Sequence, residues 1–264
     1  MSTPWLLRHV SPVEARVRLF CFPYAGVGAS VYRLWPAGLP PEVEVCAIQL
    51  PGREGRLRES PMTSIHAMTQ ALLPELLPWF DRPFAFFGHS MGAILAAEVA
   101  RSLRATGLKT PGWLMVSGRR APHLPDSEPR LTGLPDEQFV SEINRRFGGI
   151  PAQVMEDREL MALLLPTLRA DIVALEGYLR TDASAFDFPV AVFGGLDDAR
   201  ADRKALDAWR AQTTSDFRLR MFPGDHFYLN PRRADLLAEV TSILAPLLAE
   251  HRTARATARS EVRQ

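Results

Sequence analysis

The sequence predicts an α/β fold: a mainly parallel sheet with helices on both faces and an inserted all-helical segment. Three observations carry that expectation. Short apolar runs recur along the chain with helix-forming stretches between them, the alternation expected of parallel strands joined by crossover helices. One junction, Gly88-His89-Ser90-Met91-Gly92, places small residues where a strand breaks sharply into a helix. One stretch, Leu131 to Thr181, has helical periodicity and no strand.

Taken in order, the strand-like runs are Val17–Phe22, Glu44–Gln49, Phe84–Phe87, Trp113–Ser117, Val190–Phe193 and Phe217–Phe222. Helices are expected between several of them, at about Ser64–Phe80, Ala93–Thr106 and Ala201–Gln212, with a last one at Arg233–Glu250. In the helical insertion, Pro135 reads as a helix start and Gly148-Gly149 as its end, with Pro151 and Pro166 as further breaks. Inserted at the carboxyl edge of such a sheet, it would sit over the ligand crevice as a lid. The expected division is therefore a core of residues 1–128 and 183–250 and a lid at 129–182. A tail at 251–264, with four arginines and almost no apolar side chains, is expected to be disordered.

Composition narrows the function classes. Of 264 residues, 47% are hydrophobic and 23% charged, as in an ordinary globule with a large core. A net charge of +1 supplies no field for holding nucleic acid or an anionic membrane. The charge-free run from Pro83 to Ala97, closed by Arg82 and Glu98, is too short to span a bilayer. Met1 to Val10 has Arg8 and His9 where a signal peptide needs apolar residues. Cys21 and Cys46 both fall in apparent buried strands. Reduced core thiols suit a cytoplasmic protein. The chain has no H-E-x-x-H, C-x-x-C or acidic cluster, so no metal is expected.

The pentapeptide specifies chemistry. Ser90 would stand clear of the sheet on a strained turn, and the helix behind it aims N–H groups at any anion formed there. A serine hydroxyl needs a base, and the base needs a carboxylate to orient it. In the hydrolase order, acid and then histidine follow the serine, and with the acid near a strand end this leaves His226 and His251. His251 lies in the basic tail, whereas His226 follows the last strand in Phe222-Pro223-Gly224-Asp225-His226. The acid should end the preceding strand, at Gly194-Gly195-Leu196-Asp197-Asp198. Spacing from Gly195 favours Asp198, with Asp197 as the alternative. Two N–H donors are expected for the oxyanion, Met91 after the nucleophile and Ala25 in Phe22-Pro23-Tyr24-Ala25-Gly26. A rival reading takes Gly26-Val27-Gly28 as a dinucleotide fingerprint. Val31 stands where the third small residue belongs, and Gln49 ends the next strand without an acid. No cofactor is expected.

Together these residues resemble the type II thioesterases that accompany polyketide and non-ribosomal peptide synthases. The matching stretches are Phe22–Gly26, Gln49-Leu50-Pro51-Gly52-Arg53-Glu54, Gly88–Gly92, Gly194–Asp198, Gly224-Asp225-His226-Phe227 and, in the lid, Leu164-Leu165-Pro166-Thr167-Leu168-Arg169-Ala170-Asp171. They cover about Leu19 to Leu248. Two departures are visible. Val27 replaces a glycine usual after A-G, which would narrow the entrance near Ala25. Ala199 replaces the proline usual after the acid, which leaves both Asp197 and Asp198 open. The resemblance implies an α/β-hydrolase fold and an acyl group held as a thioester on the phosphopantetheine arm of an acyl or peptidyl carrier protein. It also implies an editing role, removing stalled or wrongly loaded acyl groups. Arg53, Arg56 and Arg58 would then meet the acidic carrier or its phosphate; interleaved with Glu54 and Glu59, they read equally as a solvated loop with local ion pairs. Two other functions stay open: a product-releasing, medium-chain or small-ester hydrolase, and a catalytically silent fold that docks on a synthase.

Overall fold

Alternate side chains of each central strand enter one of two apolar layers, and that period of two builds the molecule. In β2 (Val17–Phe22), Phe20 and Phe22 pack with α1 (Ile65–Leu76) and α2 (Met91–Ala105), while Leu19 and Cys21 face α7 (Arg233–Glu261). In β4 (Phe84–His89), Phe84 and Phe86 take the first side, Ala85 and Phe87 the second. The structure is a computed structural model describing residues 3–8, 15–125, 128–150, 152–180, 182 and 184–261. Pro151, His9 and the last three tail residues, each singled out in the sequence, lie outside them.

Among the described residues the sheet has seven strands in the order β1-β3-β2-β4-β5-β6-β7. These add β3 (Val43–Ile48), β5 (Leu114–Ser117), β6 (Val190–Gly195) and β7 (Phe217–Phe222), and all but β1 run parallel. β1 (Leu6–Arg8) pairs antiparallel with β3 and closes that edge; at three residues it has no apolar run to announce it. β2 to β6 are buried on both faces, as helix-covered parallel strands must be. β7, at the opposite edge, alternates exposed Arg218 and Arg220 with half-buried neighbours. Cys21 and Cys46 are free, buried and on opposite sides of the sheet, and burial pushes both thiols up.

The insertion between β5 and β6 is helical throughout its regular part: α3 (Asp136–Phe147), α4 (Ala152–Glu156) and α5 (Arg158–Glu176). Pro135 caps α3 and Gly148, at φ 68°, ends it. Pro166 does not break the lid, because α5 runs through it. Both Pro166 and Ala162, whose carbonyl loses its partner there, lie on the exposed face, where the lost bond strands no buried group. Leu131, Phe139, Ile143 and Ile172 form the lid's own apolar cluster.

After β6 come α6 (Arg203–Asp207) and a 3₁₀ turn, where one longer helix was expected. The final helix continues to Glu261, through most of the segment expected to be a disordered tail. Its alanines and arginines are strong helix formers, which extend the helix without needing an apolar face.

Candidate active site

The carboxyl ends of β4, β6 and β7 bring three loops together beneath the lid. At the first, Ser90 has φ 52° and ψ −111°, a conformation an L-residue adopts only at a cost of about 1–3 kcal/mol. Ser117 carbonyl holds it by accepting the Ser90 N–H at 2.8 Å. The flanking glycines are required by contact. A Cβ at Gly88 would lie 2.1 Å from the Gly92 carbonyl oxygen, and one at Gly92 would lie 2.0 Å from that of Phe22. Strand, turn and helix therefore close only without those side chains. Met91 is the first residue of α2, so its N–H has no acceptor one turn back and lies at the positive end of the helix.

The second and third loops meet each other. A Cβ at Gly195 would sit 2.2 Å from the Asp225 carbonyl oxygen, so this glycine lets the β6 loop touch the β7 loop. There Asp198 Oδ2 contacts His226 Nδ1 at 2.7 Å, and both side chains are buried. Asp198 Oδ1 accepts the N–H groups of Arg200 and Ala201 at 3.1 and 3.2 Å. Burial alone would raise the Asp198 pKa; the bond and charge of His226, with the two N–H donors, outweigh it and hold the carboxyl below its usual range. Asp197 faces solvent, and its N–H is spent on the Gly224 carbonyl. The loop thus turns Asp198, not Asp197, toward the imidazole.

Ser90 and His226 line one cavity of about 190 Å³, together with Tyr24, Ala25 and Gly26. The lid supplies the rest of its wall, including Ile143, Phe147, Leu164, Leu168 and Ile172. Such a cavity suits an apolar chain attached to a group presented at Ser90.

Two further sets of residues carry no mark in the sequence beyond their place in the matching stretches. His89 is fully buried; its Nδ1 pairs with Ser117 Oγ at 2.8 Å, which in turn meets Tyr228 Oη at 2.6 Å. Burial, reinforced by the charge of His226, pushes the His89 imidazole well below its ordinary pKa. Asp171, on α5 and 0% exposed, forms a two-pronged pair with Arg53: Nη1 to Oδ2 at 2.7 Å and Nη2 to Oδ1 at 2.9 Å. This corrects the expectation for the arginines. Arg53 is 3% exposed and turned into the lid. Arg56 is also buried, bonded to the Gln49 carbonyl and Glu59 and placed 4.0 Å over the Trp5 ring. Neither presents its charge to a partner; only Arg58 of the three is exposed.

The Gly26-Val27-Gly28 loop has a structural explanation of its own. A Cβ at Gly28 would lie 2.4 Å from Glu54 Cδ, and that carboxylate accepts from the Ser30 hydroxyl at 2.5 Å. Among the described residues no group of three or more potential ligands could hold a metal, and no helix is long and apolar enough to cross a membrane.

A family model described as a thioesterase domain matches residues 17–244. The gramicidin S biosynthesis protein GrsT of Aneurinibacillus migulanus is 42% identical over 246 residues, 92% of this chain and 96% of that one. Thioesterase PikA5 of Streptomyces venezuelae is 37% identical over 243 residues, 91% of this chain and 85% of that one. Among solved structures, the type II thioesterase BorB from the borrelidin biosynthetic cluster superposes with a TM-score of 0.84 at 34% identity, covering 92% of this chain and 99% of that one.

Proposed function

This chain belongs to the thioesterase family, and on that premise we propose that it clears acyl groups from carrier proteins through an acyl-serine at Ser90. Ser90 Oγ attacks the thioester carbonyl carbon as His226 takes the hydroxyl proton. The N–H groups of Ala25 and Met91 hold the oxyanion, a contribution of about 3–4 kcal/mol per donor. Collapse breaks the C–S bond, and the thiol leaves with the proton from His226. His226 then deprotonates a water molecule that attacks the acyl-serine, releasing the acid and restoring Ser90. Asp198 keeps Nδ1 of His226 protonated and directed, leaving Nε2 free for each transfer.

The observation that carries this reading is the 2.7 Å Asp198–His226 contact, with His226 and the strained Ser90 in the same lid-roofed apolar cavity. An acyl chain fits that wall, and a flexible phosphopantetheine arm can deliver the thioester to it. The names of GrsT and BorB place those relatives in gramicidin S and borrelidin biosynthesis, and the editing role of a type II enzyme follows for this chain by analogy. The test compares turnover of acetyl-carrier protein, long acyl-carrier protein and free nitrophenyl esters. Carrier-bound thioesters should be preferred; equal or faster hydrolysis of the free ester would overturn the assignment.

A further inference from the structure

The buried pair between Arg53 and Asp171 joins the lid to the core at the loop that follows β2. Asp171 Oδ2 accepts not only from Arg53 but also from the Gly26 N–H, at 2.7 Å. Arg53 Nη1 donates in addition to the Val27 carbonyl at 3.2 Å. The segment on either side of Gly26 is thus gripped at an N–H by the lid and at a C=O by the arginine. Gly26 takes φ 81°, and a Cβ built on it would lie 3.0 Å from Leu168 Cδ1, so α5 rests directly on this loop. One turn before Asp171, the buried Thr167 hydroxyl donates to the Gly52 carbonyl, in the same stretch that carries Arg53. Leu168, between these anchors, lines the cavity.

We propose that Asp171 and Arg53 are positioning residues: they seat α5 on the Tyr24–Gly26 loop and thereby aim the Ala25 N–H at the developing oxyanion. This rests on the reading of Ala25 as an oxyanion donor. The peptide following Ala25 is fixed by the lid itself, so the donor is aligned only while α5 is seated. An oxyanion donor misplaced by about 1 Å loses on the order of 100-fold in rate. Substrate held by the apolar wall does not need that donor, so the effect falls on kcat and not on KM.

The test replaces the pair with apolar side chains of similar volume, in Arg53→Met/Asp171→Leu, so that no buried charge is left alone. With an acyl-pantetheine thioester, kcat should fall about 10- to 100-fold while KM stays within about threefold. Affinity for an acyl trifluoromethyl ketone, which forms an oxyanion on Ser90, should fall by the same factor, and affinity for the matching acyl amide should not change. A merely structural role would weaken both ligands together. Asp171→Asn keeps an oxygen for the Gly26 N–H and should recover most of the kcat lost in Asp171→Ala; this comparison decides the matter if the double variant does not fold. Ala25→Pro, which deletes the N–H, tests the premise separately. If it leaves kcat intact, the donor assignment fails and the proposal with it. If it abolishes turnover while the folded double variant, or Asp171→Ala, keeps kcat within twofold, the donor stands and the positioning role is overturned.

Discussion

Asp198 and Asp197 are adjacent carboxylates, and exchanging each for asparagine separates what they do. Asp198→Asn keeps the shape of the side chain and an oxygen for the N–H groups of Arg200 and Ala201, 3.1 and 3.2 Å away. What changes is the group facing His226 Nδ1 across 2.7 Å. An amide NH₂ there forces Nδ1 to accept, so the imidazole carries its proton on Nε2 and has no lone pair for the Ser90 hydroxyl. Loss of the orienting charge and the wrong tautomer together cost about 10⁴ in kcat in a serine triad, or about 5 kcal/mol at 1.36 kcal/mol per decade. Asp197→Asn removes an exposed charge that does not touch the imidazole and should leave kcat within about twofold. Thiol release from an acyl-pantetheine thioester measures kcat, and the rate of fluorophosphonate labelling reports Ser90 reactivity directly. Both should fall in Asp198→Asn, with a melting temperature within about 4 °C of wild type, the shift expected for 1 kcal/mol in a domain of this size. A loss in Asp197→Asn equal to that in Asp198→Asn, or less than tenfold loss in the latter, would refute the assignment of Asp198 as the orienting acid.

Three other outcomes follow from the packing. Gly92→Ala drives a Cβ to within 2.0 Å of the Phe22 carbonyl oxygen and should destabilise the fold by about 3 kcal/mol or more in urea, whereas Gly55→Ala meets nothing within 4 Å and should change stability by less than about 0.5 kcal/mol. Arg53→Met alone strands the Asp171 carboxylate, which is 0% exposed, and should cost about 3–5 kcal/mol; adding Asp171→Leu should restore most of it, and a double variant no more stable than the single one would contradict the pair's burial energetics. Because the folded state holds the His89 pKa well below its ordinary value, the unfolded chain binds this proton first, at about pH 6.5. Its contribution to stability is complete above that pH and declines as pH falls toward the folded-state pKa, by up to about 1.4 kcal/mol per unit; urea midpoints at pH 7 and 5.5 should converge in His89→Gln by one proton's worth, and an unchanged slope would count against it.

How much could be read in advance depended on whether a constraint was local. The elbow declares itself because Gly88 meets the Gly92 carbonyl just past Ser90, between a strand and a helix of unmistakable pattern; the approach of Gly92 to Phe22, on the neighbouring strand, has no such local sign. Asp198 and His226 stand on short loops leaving β6 and β7, and Gly195, pressed against the Asp225 carbonyl, is where those two loops meet. β1 escaped because three residues paired only at an edge need no apolar run. Pro166 sits inside α5 because the cost of a proline in a helix is largest where the freed carbonyl is buried, and on the exposed face of α5 it is not. The arginines show the limit most clearly. Arg53 and Arg56 alternate with Glu54 and Glu59, and that pattern alone suggests a solvated loop pairing with itself. Arg56 does take Glu59, three residues on. Glu54, however, adopts φ 48° and turns its carboxylate to Ser30, leaving Arg53 directed inward with the Pro51 carbonyl but no carboxylate as a local partner. Its charge is met instead by Asp171, 118 residues away. A left-handed glutamate in a loop has no sequence signature, and neither does a contact made across that distance. The same seating of lid on core that escapes a reading of motifs is what connects the cavity roof to the Tyr24–Gly26 loop.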